Sequence, residues 1–163
     1  MQGEPRSRFL TLPNPEATDD FGRRMADILR AGDVILLEGP IGAGKTHFAR
    51  ALITARLARL GRREDIPSPT FTLVQTYDAE PEIWHADLYR LTHPDEAVEL
   101  GLEDAFQTAI CLIEWPERLG SLRPGDALVL TFAPTDDGAA RRVTVSGPEA
   151  WMARLADVVP AHD

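Results

Sequence analysis

The segment that most constrains the fold of this chain is the run G-P-I-G-A-G-K-T at positions 39–46. It matches the pattern G-x-x-x-x-G-K-[ST], in which a glycine-rich turn opens a helix. A continuous apolar run at 34–37 precedes it, as in a strand buried on both faces, and a helical stretch from about 45 to 59 follows it. Strand, glycine-rich turn and helix in this order predict a phosphate-binding βα unit within an α/β domain.

The residue types in this loop suit a nucleoside triphosphate with its metal ion. Glycines tolerate positive φ angles and let successive backbone N–H groups face an anion. Lys45 offers its ammonium group to the β- and γ-phosphates, and the Thr46 hydroxyl offers an oxygen ligand to Mg²⁺. The sequence lacks the N/T-K-x-D motif of guanine-specific proteins, which favours adenine or weak base selection. The loop therefore predicts ATP or ADP, together with Mg²⁺, as the ligand.

Length and charge limit the classes of protein that this chain can represent. At 163 residues it suits a single domain covering 1–163. Its net charge of -9 opposes broad electrostatic binding of nucleic acid, so direct RNA contact would need a local basic patch or a partner. No apolar run approaches the ~20 residues of a membrane-spanning helix, no signal peptide is visible, and the one cysteine, Cys111, can form no internal disulfide. We therefore expect a cytoplasmic protein with no membrane segment.

Apolar patterns place further helices and strands around the loop. A helix begins at Pro15 with Asn14 as its cap, a short acidic helix at 94–100 stops at Gly101, and a last helix carries Trp151. The predicted strands occupy residues 9–12, 34–37, 71–77, 83–88, 109–113, 127–132 and 142–146. This order predicts a three-layer α/β fold, a P-loop NTPase-like domain with a mixed, mainly parallel central sheet.

Two carboxylates at the ends of apolar strands could complete an ATPase, which needs an acid for Mg²⁺ or for the attacking water. Glu114 follows I-C-L-I, as the acid of a Walker B strand does. Asp87 ends I-W-H-A-D, with His85 on the same strand face because side chains alternate along a strand. For either acid the alternative is an ordinary strand-end carboxylate exposed to water. Thr70, in the S-P-T loop, is a candidate sensor of the γ-phosphate or Mg²⁺, or else part of a rigid turn.

Three more segments follow the G-A-G-K-T loop and resemble a known family. They are S-P-T-F-T-L-V at 68–74, H-A-D-L-Y-R-L at 85–91 and I-E-W-P-E at 113–117. Together with the loop they resemble the bacterial TsaE (YjeE) family, over residues 12 to 146. The resemblance implies a P-loop ATPase, weak alone and stimulated by partners, that supports formation of N6-threonylcarbamoyladenosine at position 37 of tRNA. It also implies a TsaD–TsaB heterodimer as the partner, with tRNA contacted indirectly through that complex.

The same resemblance implies roles for individual residues. Thr46 and Glu114 would bind Mg²⁺. Asp87 would assist hydrolysis directly or through a water molecule, and Thr70 would belong to a switch loop. The residues that the resemblance places around the nucleotide are Gly42, Ala43, Gly44, Lys45, Thr46 and His47 at the phosphates, Pro15 and Gly138 beside the adenine, and Trp115.

One part of the loop departs from the family pattern. Family members usually carry an acid and an aliphatic residue after the first glycine, where this chain has Pro40 and Ile41. Proline lacks a backbone N–H, so the phosphate cradle loses one donor. Because position 40 precedes the tightest part of the turn, we expect altered nucleotide affinity with binding retained.

Two other classes of function are compatible with the same loop. A small-molecule kinase would use it for phosphoryl transfer and would carry arginines on a lid. Arg62-Arg63 and Arg141-Arg142 are adjacent pairs of this kind, although surface solvation explains both more simply. A nucleotide-dependent interaction module would bind ATP without turnover. Product analysis with labelled ATP identifies the kinase, and absence of turnover with partners present identifies the module.

Overall fold

A seven-stranded sheet with helices on both sides forms the centre of the computed structural model, which describes residues 6–159. The strands are β1 (Arg6–Leu12), β2 (Val34–Glu38), β3 (Val74–Tyr77), β4 (Ile83–Asp87), β5 (Ile110–Glu114), β6 (Leu128–Pro134) and β7 (Arg141–Gly147). The helices are α1 (Pro15–Ala26), α2 (Lys45–Ala58), α3 (Asp95–Glu99), α4 (Leu102–Thr108) and α5 (Glu149–Arg154), with a 3₁₀ segment at Pro116–Leu122. Helices alternate with strands along much of the chain, as the predicted α/β class requires.

The strand order in the sheet is β1-β7-β6-β2-β5-β4-β3. β2 pairs in parallel with both β5 and β6, and β4 pairs in parallel with β5. β7 runs antiparallel to its neighbours β6 and β1, and β3 runs antiparallel to β4. Among the strands of residues 6–159, β3 and β7 therefore oppose the direction of the other five, which confirms the predicted mixed, mainly parallel sheet.

The central strand β2 shows how the sheet separates two hydrophobic cores. Ile35 and Leu37 pack into one core with α1, α2 and α5, whereas Val34 and Leu36 pack into a second core with α3 and α4. Successive side chains of a strand point to opposite faces, so only a continuous apolar run can supply both cores. The helices on the two faces confirm the three-layer arrangement.

The structure differs from the predicted elements at three places. β3 begins at Val74, three residues later than expected, because Leu73 has a positive φ of 68° and donates its N–H to the carbonyl of Pro69 at 2.8 Å, closing a turn. Neither α4 nor the 3₁₀ segment was predicted from the sequence. Gly101, with a φ of 88°, both ends α3 and opens α4, whose first residue, Leu102, is buried. A glycine that indicates the end of one helix can therefore also precede another.

The buried position of Cys111 determines the chemistry of its thiol. Cys111 is fully buried in β5, and burial, with a smaller contribution from the charge of Glu82, raises the pKa of its thiol to about 12. It therefore packs as a small apolar group and is not a reactive thiolate.

None of the helices within residues 6–159 is long and apolar enough to cross a bilayer.

Candidate nucleotide site

The candidate site lies at the edge of the sheet where the parallel strands β2, β5 and β4 end. In the sheet register, Glu114 pairs with Leu37 of β2 on one side and with Asp87 of β4 on the other. The glycine-rich loop leaves β2 at the same edge and leads into α2. Because the carboxyl ends of parallel strands meet at one edge, the fold brings together three segments that are distant in sequence.

The backbone of the loop requires glycine at specific positions. Gly39 has a φ of 133°, and a Cβ atom there would lie 2.3 Å from the carbonyl oxygen of Phe132, closer than any side chain allows. Gly44, with a φ of 107°, precedes the first residue of α2. The loop therefore turns against β6 and ends at a helix N-terminus, where free N–H groups and the helix dipole favour an anion.

Lys45 is buried beside the loop, with 4% of its surface exposed. Its ammonium group donates to the carbonyl oxygen of Gly39 at 2.6 Å and lies 3.6 Å from the centroid of the Trp115 ring. Burial lowers the pKa of Lys45 from 10.5, although the charge of Glu114 and two weaker carboxylate contributions oppose that shift. The cation is thus partly desolvated and held by a neutral carbonyl and a ring face, so an incoming anion would attract it strongly.

Glu114 receives hydrogen bonds from two sides in the buried part of the site. The Thr46 hydroxyl donates to its carboxylate, at 2.9 Å from Oε1 and 3.1 Å from Oε2. His85 Nε2 lies 2.7 Å from Oε2, and His85 is completely buried. Within the described residues His85 Nδ1 has no hydrogen-bond partner. We therefore assign the proton of the neutral ring to Nε2, because a buried N–H without an acceptor would be costly, and the ring donates to Glu114.

The oxygens of Thr46 and Glu114 suit Mg²⁺ in type and in spacing. Mg²⁺ takes hard oxygen ligands in octahedral geometry, and two ligands at right angles lie roughly 3.0 Å apart. The 2.9 Å between Thr46 Oγ1 and Glu114 Oε1 matches that spacing. In the described part of the chain, no group of three or more His, Cys, Asp or Glu side chains is placed to hold a metal ion. The pair therefore fits an ion that completes its coordination with phosphate oxygens and water.

Asp87 links the end of β4 to the S-P-T loop. Its Oδ1 accepts the backbone N–H of Tyr89 at 3.0 Å, and its Oδ2 accepts the Thr70 hydroxyl at the long distance of 3.4 Å. Thr70 also shares a hydrogen bond of 2.7 Å with Ser68, which the sequence analysis gave no role. The signal for Ser68 was its place in the same motif as Thr70. A long hydrogen bond is weak, so this loop is held to the strand end by a link that other partners can replace.

These side chains surround a cavity of 530 Å³, within the ~300–1,000 Å³ typical of small-molecule sites. Of the loop residues predicted to lie at the phosphates, Ala43 does not line this cavity. It is 1% exposed within the core that contains α2, and its N–H donates to the carbonyl of Pro40 at 3.2 Å. The predicted residues that line the cavity are Gly42, Gly44, Lys45, Thr46, His47, Thr70, Asp87, Glu114 and Trp115.

A smaller cavity of 140 Å³ contains the two residues predicted to lie beside the adenine. Pro15 at the start of α1 and Gly138 in the β6–β7 turn both line it. The side-chain oxygen of Asn14 accepts the N–H of Ala17 at 2.9 Å, which caps α1 and positions Pro15. The backbone or side chains of Gly44, His47 and Arg141 line both cavities. The two cavities therefore adjoin at the phosphate loop.

Arg141 lines this site, although the sequence assigned it only to the kinase alternative, as one of the Arg141-Arg142 pair. It is half-buried, and its guanidinium donates to the carbonyl of Gly42 at 3.2 Å. Arg142 is exposed and lies over the Phe9 ring, 4.3 Å from its centroid. Arg141 therefore has backbone partners in the loop and the turn in addition to solvent, whereas surface solvation suits Arg142, because neighbours on a strand face opposite ways. The position of Arg141 three residues after Gly138, which the sequence places beside the adenine, could have indicated that Arg141 lies at the site.

A larger cavity of 920 Å³ lies at the opposite edge of the sheet. Among the described residues, three acids, Glu103, Asp104 and Asp126, line it, and no lysine or arginine does. A negative lining repels a triphosphate, so charge favours the 530 Å³ cavity over the larger one.

Comparisons with known proteins cover the same segments. The sequence model of the family described as threonylcarbamoyl adenosine biosynthesis protein TsaE matches residues 12–143. The tRNA threonylcarbamoyladenosine biosynthesis protein TsaE of Rickettsia bellii is 39% identical over 127 residues, covering 77% of this chain and 86% of that protein. The protein of the same name from Bacillus subtilis is 32% identical over 152 residues, covering 92% of each chain. The crystal structure of YdiB from Bacillus subtilis is similar in fold, with a TM-score of 0.78, 25% identity and coverage of 95% of each chain.

Proposed function

The chain belongs to the TsaE family of tRNA threonylcarbamoyladenosine biosynthesis proteins, and we propose that it serves this pathway as an ATPase. In this proposal it binds ATP or ADP with Mg²⁺ and supports formation of N6-threonylcarbamoyladenosine at position 37 of tRNA. The observation that carries the proposal is the grouping of Lys45, Thr46 and Glu114 around one cavity beside the glycine-rich loop. An ammonium, a hydroxyl and a carboxylate at such a loop are the groups that a magnesium triphosphate requires.

Binding of a triphosphate would change the partners of Lys45. Its ammonium donates to the neutral carbonyl of Gly39 and faces the Trp115 ring. The β- and γ-phosphate oxygens would replace these with charge-assisted hydrogen bonds, which contribute about 1.5–3 kcal/mol each. Few waters compete at a side chain that is 4% exposed, which strengthens the attraction. We expect Lys45 to move toward the phosphates and Trp115 to remain beside the nucleotide.

Hydrolysis would use the two strand-end acids differently. Thr46 and Glu114 would hold Mg²⁺, while the 2.7 Å contact with His85 keeps the Glu114 carboxylate oriented. Bound Mg²⁺ would neutralise charge on the β- and γ-phosphates. Asp87 would orient the attacking water, because its 3.4 Å bond to Thr70 is weak enough to exchange. Thr70 would then sense the γ-phosphate and order its loop in the ATP state.

The adenine would occupy the 140 Å³ cavity between the start of α1 and the β6–β7 turn. Leu12 and Pro15 offer apolar contacts on one side, and Gly138 and Ala139 offer backbone on the other. Such walls suit the faces of a planar base. Adenine recognition would then depend on shape and backbone contacts, which agrees with the lack of a guanine-reading motif in the sequence.

We also propose that the chain works in the cytoplasm with a TsaD–TsaB-type heterodimer and contacts tRNA through that complex. The net charge of -9 supports indirect contact, because a negative surface repels the phosphate backbone of RNA. Two large apolar side chains are 76% and 81% exposed: Ile41, which lines the 530 Å³ cavity, and Phe71, whose ring lies under Arg90, another lining residue. Exposed apolar groups of this kind favour a protein partner at this edge of the sheet.

The test is ATP turnover by the chain alone and with the partner heterodimer, with threonylcarbamoyladenosine formation followed in the same samples. We expect slow turnover alone, faster turnover with the partners, and repeated cycles of modification. Lys45→Ala and Glu114→Ala should each suppress stimulated turnover. The matched control is Glu103→Ala, an exposed acid at the opposite edge of the sheet, which should leave turnover unchanged.

Each contrary outcome has a distinct meaning. Normal stimulated turnover in Glu114→Ala would remove Glu114 from the site. Tight ATP binding without any turnover in the presence of partners would mean that the chain is a nucleotide-dependent interaction module and not an ATPase. Transfer of the γ-phosphate to a small-molecule acceptor would mean that the chain is a kinase.

A further inference from the structure

Arg141 occupies the junction between the two cavities of the site. It is the first residue of β7, directly after the β6–β7 turn. Its NH2 group donates to the carbonyl of Gly42 in the phosphate loop, at 3.2 Å. Its NH1 group donates to the carbonyls of Gly138 and Ala140 in the turn, at 3.3 Å and 3.2 Å. The guanidinium therefore connects the loop that would hold phosphates with the turn that would hold the base.

Within the described part of the chain, no acid pairs with the positive charge of Arg141. All three of its hydrogen-bond acceptors are backbone carbonyls, and no carboxylate within residues 6–159 lies within ion-pair distance of it. Two other half-buried arginines pair with acids: Arg123 with Glu38 at 2.7 Å, and Arg154 with Asp33 at 2.6 Å. Arg8 also donates only to carbonyls, those of Met152 and Val159, but it lines neither cavity of the site. A phosphate oxygen is a stronger acceptor for guanidinium than a neutral carbonyl is, and its charge would complement that of Arg141.

The direction of the nucleotide follows from the residues at each end of the two cavities. Lys45, Thr46 and Glu114 mark the end where the β- and γ-phosphates would lie. Pro15 and Gly138 mark the end where the base would lie. Arg141 lines both cavities, so it lies between these ends, where the α-phosphate and the ribose must pass.

We propose that Arg141 binds the α-phosphate of the nucleotide at the junction of the phosphate loop and the β6–β7 turn. The inference rests on the proposed function, since it assumes that the site takes an adenine nucleotide. One or two charge-assisted hydrogen bonds would form in place of those to carbonyls. Every nucleotide with an α-phosphate would gain from the contact, whereas adenosine, which has none, would not.

The experiment measures dissociation constants for ATP, ADP, AMP and adenosine by calorimetry on the full chain. Arg141→Ala should weaken binding of ATP and ADP by a similar factor of about 10- to 100-fold, and should leave adenosine binding within about twofold. Arg141→Lys keeps a charge without the planar fork, and should recover part of the lost affinity. Arg142→Ala, one residue along and facing the other way, is the control and should match the unaltered chain. Circular dichroism melts of each variant establish that it is folded.

Other results would overturn the inference. Unchanged ATP affinity in a folded Arg141→Ala chain would remove Arg141 from the nucleotide site while leaving the proposed function intact. A loss confined to ATP would place the guanidinium at the γ-phosphate, and an equal loss for adenosine would reduce its role to packing of the turn. Failure of the unaltered chain to bind ATP would overturn the proposed function itself.

Discussion

The two ends of strand β2 both carry buried charges, and they hold them in opposite ways. Before the strand, Asp33 accepts Arg154 NH1 at 2.9 Å and NH2 at 2.6 Å, and also accepts the backbone N–H of Arg30 at 2.7 Å. After the strand, Lys45 contacts a neutral carbonyl and a ring face, while His85 Nδ1 lacks a partner within the described residues. One end satisfies its charge within the protein, and the other retains capacity to bind.

This difference separates a structural site from a functional one on the same strand. The ion pair of Asp33 with Arg154 fixes the position of α5 against the sheet. Because its charged groups already have partners, it is not available to bind a ligand. A desolvated cation with neutral partners costs the free protein some stability, and it gains the strongest contacts when an anion arrives. Incomplete pairing does not identify a binding site by itself, because Arg56 is buried, donates only to backbone carbonyls and lines neither cavity. At Lys45 incomplete pairing coincides with a cavity and a glycine-rich loop. Substitutions at the two ends should therefore affect different measurements.

The largest expected effect is on nucleotide binding at the Lys45 end. Lys45→Met removes the ammonium and keeps much of the side-chain volume. Loss of two charge-assisted hydrogen bonds to phosphate should weaken ATP binding at least about 100-fold. Calorimetric titration with ATP measures this. ATP affinity within a few-fold of the unaltered chain would contradict the contrast between the two ends.

Arg154→Met should produce a loss of stability without a loss of binding. It would leave the Asp33 carboxylate buried, with the Arg30 N–H as its one donor among residues 6–159. Breaking a fully buried pair costs about 3–5 kcal/mol. Because the Arg154 and Asp33 side chains are 20% and 11% exposed, we expect about 2 kcal/mol less free energy of unfolding in urea titrations.

The matched control is the exposed pair of Arg59 with Asp27, whose side chains are 46% and 65% exposed. Arg59→Met should change stability by less than about 0.5 kcal/mol. ATP binding should be unaltered in both arginine variants. Equal destabilisation by Arg154→Met and Arg59→Met would show that burial of the first pair does not matter.

A third prediction concerns the support of Glu114 by His85. His85→Leu removes the donor to the carboxylate, so partner-stimulated turnover should fall about 10-fold and the Mg²⁺ requirement should rise. His85→Gln can place an N–H near the position of Nε2 and should recover much of the activity. A purely structural role for the ring would lower stability in both variants without changing the Mg²⁺ dependence, which magnesium titrations of ATPase rate would reveal.

The smallest expected effect is the pH dependence that Lys45 gives to the free protein. Burial lowers the folded-state pKa of Lys45 below its ordinary value of 10.5, so between the two values the unfolded chain binds more protons. Stability contributed by this group therefore rises with pH through that window, and it is lost as pH falls through the folded pKa. Below the window the charged lysine stays buried, at a cost.

Lys45→Met lacks this titration and serves as the reference. The free energy of unfolding of the unaltered chain, relative to Lys45→Met, should increase as pH rises from neutral toward the ordinary lysine pKa of 10.5. Chemical denaturation without nucleotide at several pH values measures it. A relative stability that falls with pH would mean that the folded protein raises the pKa of Lys45.

Patterns that are local in sequence were sufficient for the layers of the fold and for the phosphate loop. The run at 34–37 must be buried on both faces because four consecutive apolar side chains alternate across a strand, and the structure places them in two cores. The loop residues Lys45 and Thr46 follow from a spacing that a strand, a turn and a helix can satisfy by themselves. Strand-end positions likewise identified Glu114 and Asp87 as candidates.

The arrangement around those residues was decided by tertiary structure. The register of β4 on β5 brings His85 to Glu114, the close pairing of β6 with β7 carries Arg141 to Gly42, and the start of α1 meets Gly138 at the smaller cavity. By itself, then, the sequence determined the family, the order of the layers and the phosphate-binding chemistry of the loop. The tertiary structure alone decided which side chains support Glu114, which cation lies between the cavities and which groups contact Lys45. The physical reason is that contacts between distant segments depend on strand register and turn geometry, which no local spacing encodes.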